Sequence, residues 1–175
     1  NVVSIATTTG YANTDYNLWP IFAPLWMLFL SSFATCSGST GGGIKMVRAI
    51  VLYKQVFREV MRAIHPSAVH PIKLGSEIVE NKIIFAVLAF GFMYMVSIVS
   101  MTLAMTGSGL DIVTAFSAVV ACINNTGPGL NQVGPATTFA VLTDFQTWVC
   151  SFAMLLGRLE IFTLLVVLTP AFWRK

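Results

Sequence analysis

The stretch Phe152-Ala-Met-Leu-Leu-Gly-Arg-Leu-Glu-Ile-Phe-Thr-Leu-Leu-Val-Val-Leu168 is largely apolar and yet carries Arg158 near its middle. A charged side chain at the centre of a membrane helix costs at least about 2.5 kcal/mol on insertion scales, so such a side chain faces protein or water. Apolar runs on both sides keep Arg158 from reaching a membrane surface easily. We therefore expect Arg158 to have a function inside a membrane.

The composition of the whole chain indicates an integral membrane protein. Of its 175 residues, 56% are hydrophobic and 10% are charged, a balance that soluble domains do not have. About 20 apolar residues are enough to cross the hydrocarbon core. The sequence predicts three spans, over residues 21–33 with their polar continuation, residues 83–105 and residues 145–168.

Basic residues are concentrated in one connection between these spans. Seven lie between residues 45 and 82 and two end the chain, whereas residues 106–144 contain none; the seven are Lys45, Arg48, Lys54, Arg58, Arg62, Lys73 and Lys82. Cytoplasmic connections of membrane proteins are enriched in lysine and arginine. The pattern predicts that residues 45–82 and the C-terminus are cytoplasmic. Because topology explains these charges, we expect no nucleic acid partner.

The segment without basic residues contains a short helix and a turn. Asp111 can cap a helix that ends near Ile123, which is too short to cross a membrane alone. Asn125-Thr-Gly127 then reverses the chain, because glycine permits backbone conformations that other residues avoid. Irregular backbone at membrane depth survives only inside protein or beside a water-filled path. The segment is therefore typical of a re-entrant pore helix followed by a filter.

A second copy of this turn predicts an internal repeat. Thr8-Thr-Gly10 corresponds to Asn125-Thr-Gly127, and Ser32-Phe-Ala34 in the helix after the first turn corresponds to Ser151-Phe-Ala153 in the helix after the second. Rings of backbone carbonyls from such units can replace the water shell of an ion. We expect an all-α membrane protein in which repeated units of helix, re-entrant pore loop and helix surround a central pore.

Small residues interrupt the helix that follows the first turn. Thr35-Cys-Ser-Gly-Ser-Thr-Gly-Gly-Gly-Ile-Lys45 is a poor helix former. It does not match a phosphate-binding loop, because Ile44 separates the last glycine from Lys45. The stretch is either a flexible connector or a mobile barrier on a permeation path, and its membrane setting favours the barrier.

Other functions have less support in the residues. Cys36, Cys122 and Cys150 are too dispersed for a zinc site, and His65 and His70 lack metal-ligating neighbours. No nucleophile, base and orienting group occur together, so we expect no enzyme, no cofactor and no metal beyond the permeating ion. The main alternative is a non-conducting membrane scaffold or assembly subunit, in which the glycines allow close helix packing.

Four motifs together resemble the TrkH-like potassium transporters of the superfamily of K+ transporters, which are built from four pore units. The motifs are Thr7-Thr-Thr-Gly-Tyr11, Gly38-Ser-Thr-Gly-Gly-Gly-Ile-Lys45, Asn124-Asn-Thr-Gly-Pro-Gly129 and Leu156-Gly-Arg-Leu-Glu160. The resemblance covers essentially the whole chain. It implies that residues 1–82 are the second half of unit three and that residues 83–175 are unit four.

The resemblance also implies the site residues. The filter would consist of Thr8, Thr9, Gly10, Asn125, Thr126 and Gly127, with potassium as the transported ion. The gate would be a loop of the unit-three inner helix under the filter, namely Gly38, Ser39, Thr40, Gly41, Gly42 and Gly43, held by Arg158 of the unit-four inner helix. A guanidinium there can bind loop carbonyls and repel a cation. Both channel-like and ion-coupled transport are compatible with these residues.

The partners follow from the same resemblance. The family's proteins lie in the cell inner membrane as homodimers and bind a cytosolic, nucleotide-binding regulatory subunit of the TrkA type. For this chain the resemblance implies that the regulatory subunit contacts cytoplasmic surfaces such as residues 44–64. Any nucleotide would bind to the regulatory subunit and not to this chain.

Overall fold

Helices form most of the secondary structure in the computed structural model, which describes residues 1–34, 42–66, 70–159, 163, 166–167 and 169–173. In chain order they are α1 (Val2–Ala6), α2 (Phe22–Ser31), α3 (Met46–Ile64), α4 (Asn81–Gly107), α5 (Ile112–Ile123), α6 (Asp144–Arg158) and α7 (Pro170–Trp173). Three short 3-10 turns occur at Tyr16–Leu18, Asn131–Val133 and Phe139–Val141. The all-α prediction is confirmed for the described part of the chain.

Two pairs of very short strands complete the described structure. β1 (Phe33–Ala34) pairs in parallel with β2 (Ile44–Lys45). β3 (Lys73–Leu74) pairs antiparallel with β4 (Glu77–Ile78). The first pair brings the chain back beside the end of α2 after the predicted loop.

The long helix α4 matches the predicted span over residues 83–105. It has 27 residues, and among the described helices it alone is long and apolar enough to cross a membrane. The apolar helices α2 and α5 are shorter, with 10 and 12 residues. The first predicted span therefore differs, because α2 ends at Ser31 and its next residues pair with β2.

The predicted span over residues 145–168 is not one uninterrupted helix. Helix α6 ends at Arg158, and Leu159 forms a bend with φ −85° and ψ 6°. Arg158 therefore lies at a helix C-terminus and not in mid-helix. A cation is stabilised there, because the last carbonyls of a helix carry partial negative charge.

The predicted equivalence of Ser32-Phe-Ala34 with Ser151-Phe-Ala153 is wrong at the level of secondary structure. Residues 151–153 lie inside α6, whereas Ser32 follows α2 and residues 33–34 form β1. The difference arises because the carbonyl of Ser32 accepts the N–H of Ile44 at 2.9 Å, so the backbone there bonds to the returning strand and not to a helical turn.

Helix α5 lies at the centre of the described structure and packs between α4 and α6. Only Ile112, Val113 and Phe116 among its residues are not buried. Asp111 caps the helix, since its carboxylate accepts the backbone N–H groups of Val113 and Thr114 at 3.1 and 3.3 Å. A helix buried on nearly every side matches the predicted pore helix in length and surroundings.

Helix α3 is amphipathic. Its Val51 packs with Ile84 and Val87 of α4 and with Ile72, and the guanidinium of Arg48 lies 4.3 Å from the centre of the Phe90 ring. The opposite apolar face is exposed; it includes Tyr53, Val56, Phe57, Val60 and Ile64. Helix α3 therefore has an apolar surface that the described chain does not cover.

Helix α6 begins with a capping box that also ties it to α4. The Thr143 hydroxyl accepts the Gln146 N–H at 3.5 Å, and the Gln146 side-chain oxygen accepts the Thr143 N–H at 3.0 Å. The Gln146 amide then donates to the Ser108 hydroxyl at 2.8 Å, beside the last turn of α4. The cap therefore links the N-terminus of α6 to the C-terminal end of α4.

Replacing the capping hydroxyl tests this arrangement. We expect Thr143→Ala to lower the free energy of unfolding by about 1 kcal/mol, because an N-terminal donor of α6 loses its acceptor. Thr143→Ser keeps the hydroxyl and is the matched control. Thermal unfolding in detergent compares the two proteins, and equal melting temperatures would contradict a contribution from this cap.

Candidate functional site

The two predicted turns have the same backbone conformation. The residues after α1 and α5, Thr7 and Asn124, have φ −87° and −79°. Thr8 and Asn125 are both left-handed, with φ 55° and 54°. Gly10 and Gly127 follow two residues later with φ 82° and 102°. Non-glycine residues rarely adopt positive φ, so this agreement at two distant positions is specific.

Matching hydrogen bonds hold the two turns. The Thr9 N–H donates to the Ser4 carbonyl at 2.8 Å, and the Thr126 N–H donates to the Ala121 carbonyl at 2.9 Å. In each case the bond reaches back five residues, as at helix ends that close with a left-handed residue. The predicted correspondence of Thr8-Thr-Gly10 with Asn125-Thr-Gly127 is confirmed as a structural repeat.

The two turns also lie against each other. A β-carbon at Gly10 would collide with the carbonyl oxygen of Thr126 and would lie 3.3 Å from Cδ of Pro128. Glycine at this position therefore meets two needs at once, a positive φ and the close approach of a carbonyl. The tertiary structure thus brings the predicted first and second parts of the site together.

Gly127 differs from Gly10 in its surroundings. In the part of the chain that the structure describes, a β-carbon at Gly127 would meet no atom within 4 Å. Packing does not require a glycine at this position. The requirement comes only from the backbone, because a φ of 102° is unfavourable for other residues. Gly127 therefore borders open space beside the joined turns.

Side chains within the turns have separate contacts. The Asn125 amide donates to the carbonyls of Ile123 and Met154, both at 3.4 Å, so it ties the second turn to α6. The hydroxyls of Thr7 and Thr9 share a hydrogen bond of 2.9 Å. The Thr126 hydroxyl oxygen is buried and has no hydrogen-bond partner among the described residues.

Two further glycines meet at the carbonyl end of α5. A β-carbon at Gly42 would lie 2.6 Å from the Ile123 carbonyl oxygen, and one at Gly157 would collide with the same oxygen. Gly157 directly precedes Arg158, which is exposed in the described chain. The end of the predicted gate loop and the residue before its predicted anchor therefore contact one carbonyl group.

The predicted gate is described only in part. Gly42, Gly43 and Arg158 are described, whereas Gly38, Ser39, Thr40 and Gly41 lie outside the described residues. Gly43 has φ 82°, and a β-carbon there would lie 2.8 Å from both the side-chain oxygen of Asn124 and the carbonyl oxygen of Ser32. The returning chain therefore fits between α2 and the second turn because it has no side chain.

Asn124 is a central residue that the sequence reasoning missed. Its side chain is fully buried. The Tyr94 hydroxyl donates to its side-chain oxygen at 2.8 Å, and its amide donates to the hydroxyls of Ser31 and Ser32 at 3.2 and 3.4 Å. One amide thus joins α4, α2 and the end of α5. A tyrosine inside the apolar span α4 was the available signal, because polar groups at membrane depth find partners.

The segments after the two turns are also joined. The buried Tyr16 hydroxyl donates to the Gly129 carbonyl at 3.3 Å. Burial, with a smaller contribution from Asp15, raises the pKa of Tyr16 to about 12, so the hydroxyl keeps its proton and can donate. The Asn17 amide donates to the Asn131 carbonyl at 3.3 Å, and the Asn131 N–H donates to the Asn17 side chain at 3.1 Å. Together these bonds fix the two turns relative to each other.

The electrostatics of the site come from the backbone. Among the described residues, no group of three or more histidine, cysteine or acidic side chains could hold a metal ion. The carbonyl end of α5 at Ile123 lies beside the second turn, and a helix C-terminus carries roughly half a negative charge. The carbonyl groups at this end of α5 therefore create a negative potential beside the second turn.

Comparison with known proteins identifies the family that this chain matches. The family model TrkH, described as a cation transport protein, matches residues 1–175. The TrkH potassium uptake protein of Vibrio parahaemolyticus is 45% identical over 173 residues, covering 99% of this chain and 35% of that protein. The corresponding protein of Escherichia coli K12 is 46% identical over 175 residues, covering 99% of this chain and 36% of that protein.

A solved structure supports the same relationship. The crystal structure of the potassium transporter TrkH from Vibrio parahaemolyticus matches with a TM-score of 0.90 at 45% identity, over 98% of this chain and 36% of that one. This likeness confirms the predicted all-α membrane fold with pore-loop units. The chain spans about 36% of the length of the relatives that it matches.

The buried hydrogen bond between Tyr94 and Asn124 yields a prediction. We expect Tyr94→Phe to lower the free energy of unfolding by about 1 to 3 kcal/mol, because the buried Asn124 oxygen loses its donor. Tyr53→Phe removes a hydroxyl from a side chain that is 75% exposed and is the control. Thermal unfolding of both variants in detergent measures the effect; similar losses would show that the buried bond is unimportant.

Proposed function

The chain belongs to the TrkH family of cation transport proteins, and we propose that it forms part of the pore of a membrane protein that takes up potassium ions. The observation that carries the proposal is the contact between two turns of similar backbone conformation, where Gly10 meets the carbonyl of Thr126. The names of the relatives, which are Trk system potassium uptake proteins, indicate the ion.

The proposed filter consists of the two turns. Its residues are Thr8, Thr9 and Gly10 in the first turn and Asn125, Thr126 and Gly127 in the second. An ion that enters the filter exchanges water for backbone carbonyl oxygens, and the negative ends of α1 and α5 lower the cost of that exchange. Other pore units of the full protein would complete the ring.

The proposed gate is the loop of residues 38–43 together with Arg158. The guanidinium of Arg158 repels a cation and can donate up to five hydrogen bonds to loop carbonyls. The proposal is supported by the contacts of Gly42 and Gly157 with the Ile123 carbonyl, because these contacts bring the loop end and the end of α6 together at the carbonyl end of α5. Displacing the loop would open the path.

We propose the following topology and assembly. Residues 1–82 are the second half of pore unit three, and residues 83–175 are unit four. The protein crosses the cell inner membrane several times, with residues 45–82 and the C-terminus in the cytoplasm. It forms a homodimer and binds a cytosolic, nucleotide-binding regulatory subunit of the TrkA type. Val60 and Ile64, near the C-terminal end of α3, are exposed and support a protein partner on the cytoplasmic side.

A non-conducting scaffold is the alternative function. It accounts for Gly42 and Gly157, because both allow close packing against α5. It does not account for Gly127, because no atom of the described chain lies close enough to exclude a side chain there. A scaffold also gives no reason for Gly127 to repeat the left-handed conformation of Gly10 at the matching position of a second turn.

Substitution of Gly127 tests the filter. We expect Gly127→Ser in the full-length protein to abolish potassium uptake into proteoliposomes or to admit sodium, because a side chain strains the left-handed backbone. Gly109→Ser is a matched control, since Gly109 has φ 94° and equally open surroundings but lies before α5. Equal transport defects in both variants, or wild-type selectivity in Gly127→Ser, would contradict the proposed filter.

Substitution of Arg158 tests the gate separately. We expect Arg158→Ala to raise potassium flux several-fold, because the loop loses its anchor and the ion loses a repelling charge. Arg158→Lys keeps the charge without the planar fork and should give an intermediate flux. Arg62→Ala, which removes an exposed charge on α3, is the control. Flux that stays at the wild-type value in Arg158→Ala would rule out this role.

A further inference from the structure

A cavity of about 330 Å³ lies between α3 and the segment that leads into β3. Its lining includes three cationic side chains, those of Lys54, Arg58 and Lys73, together with His70. No lining residue carries a carboxylate. The cavity is therefore a concentrated positive site, which the proposed filter and gate do not use.

The cationic groups keep donors that the described residues do not satisfy. The Lys54 ammonium donates to the Lys73 carbonyl at 2.6 Å and has two further N–H groups. One terminal nitrogen of Arg58 donates to the Asn81 side chain at 3.2 Å. Nε of Arg58 is buried without a hydrogen-bond acceptor among the described residues, and the Glu59 carboxylate is 3.9 Å from it. Cationic donors on three side chains that line one cavity suit an anion with several oxygens.

The position of the cavity along α4 places it at a membrane surface. Arg58 bonds to Asn81, the first residue of α4. A helix of 27 residues is about 40 Å long, whereas the hydrocarbon core is about 30 Å thick. The first turn of α4 and the cavity beside it therefore lie at headgroup depth.

Apolar surface adjoins the positive cavity. Tyr53 and Phe57, which also line it, are 75% and 58% exposed. Phe85, one turn into α4, is 69% exposed. Aromatic side chains with a polar neighbourhood are typical of the membrane interface. A ligand with a phosphate and an attached hydrocarbon chain matches both parts of this surface.

We propose that the cavity binds the phosphate headgroup of an anionic membrane phospholipid in the cytoplasmic leaflet. Lys54, Arg58 and Lys73 contact the phosphate oxygens, and the acyl chains lie along the exposed face of α4. Basic pockets beside membrane helices on the cytoplasmic side recognise such headgroups. The choice of leaflet rests on the orientation given under the proposed function, whereas the binding chemistry does not.

The test measures lipid binding to the full-length protein in neutral detergent, where no charged membrane surface contributes. Native mass spectrometry follows titrations with phosphatidylglycerol, phosphatidylcholine and inorganic phosphate. We expect saturable binding of phosphatidylglycerol only. Lys73→Gln should weaken it about fivefold, and Lys73→Gln combined with Lys54→Gln about 25-fold, from the usual contribution of each basic side chain near an anionic headgroup.

Lys82→Gln is the matched control. Lys82 is exposed in the first turn of α4 and does not line the cavity, so we expect its substitution to leave the affinity unchanged. Lys73 is suited to the test because its side chain is exposed. The bond from Lys54 uses the backbone carbonyl of Lys73, so the substitution leaves that acceptor in place. Thermal unfolding of each variant checks that the fold is retained.

Three outcomes would overturn the proposal. Equal weakening by Lys82→Gln would mean that general surface charge binds the lipid. Binding of inorganic phosphate as tight as that of phosphatidylglycerol would assign the cavity to a soluble phosphate. Unchanged lipid affinity in the double variant, with loss of binding to the regulatory subunit, would assign it to a protein interface. Lipid binding is measured without transport, so a protein that binds lipid but takes up no potassium would disprove only the proposed function.

Discussion

The carbonyl end of α5 is the point on which the rest of the described structure depends. Gly42 and Gly157 approach the Ile123 carbonyl so closely that neither position has room for a β-carbon. Any side chain at either position would push the returning chain or α6 away from the pore helix. The carbonyl end of a helix also carries partial negative charge. One group therefore sets the distance between three segments and contributes to the field at the proposed path.

Buried polar groups explain why the segments around this point keep their positions. An amide without a hydrogen-bond partner inside a membrane protein has a free-energy cost. An amide in water does not have this cost, because the solvent supplies partners. Asn124 avoids that cost through Tyr94 of α4 and through the serines at the end of α2. The second turn cannot shift without breaking these bonds. The first turn follows it, because Tyr16 binds the carbonyl of Gly129.

The described chain contains one region of neutral polar contacts and one region of cationic donors. Around the two turns, the side chains of Asn124, Asn125 and Tyr16 have partners within the chain, although the buried hydroxyl of Thr126 has none among the described residues. Around α3, the donors of Lys54 and Arg58 converge on a cavity without an acid, and the adjoining face is apolar. The first pattern belongs to an internal site that needs fixed geometry. The second belongs to a surface that meets a ligand outside the chain, which we propose is a lipid headgroup.

The sequence alone predicted the helical membrane fold, the span that became α4, the short capped helix α5 and the two equivalent turns. It did so because hydropathy, capping residues and glycines at left-handed positions act locally. It did not predict that α6 ends at Arg158, that Asn124 joins three helices or that Gly42 and Gly157 meet at one carbonyl. These features depend on which segments pack together. Contact between residues far apart in the chain leaves no local pattern, so only the tertiary structure decided them.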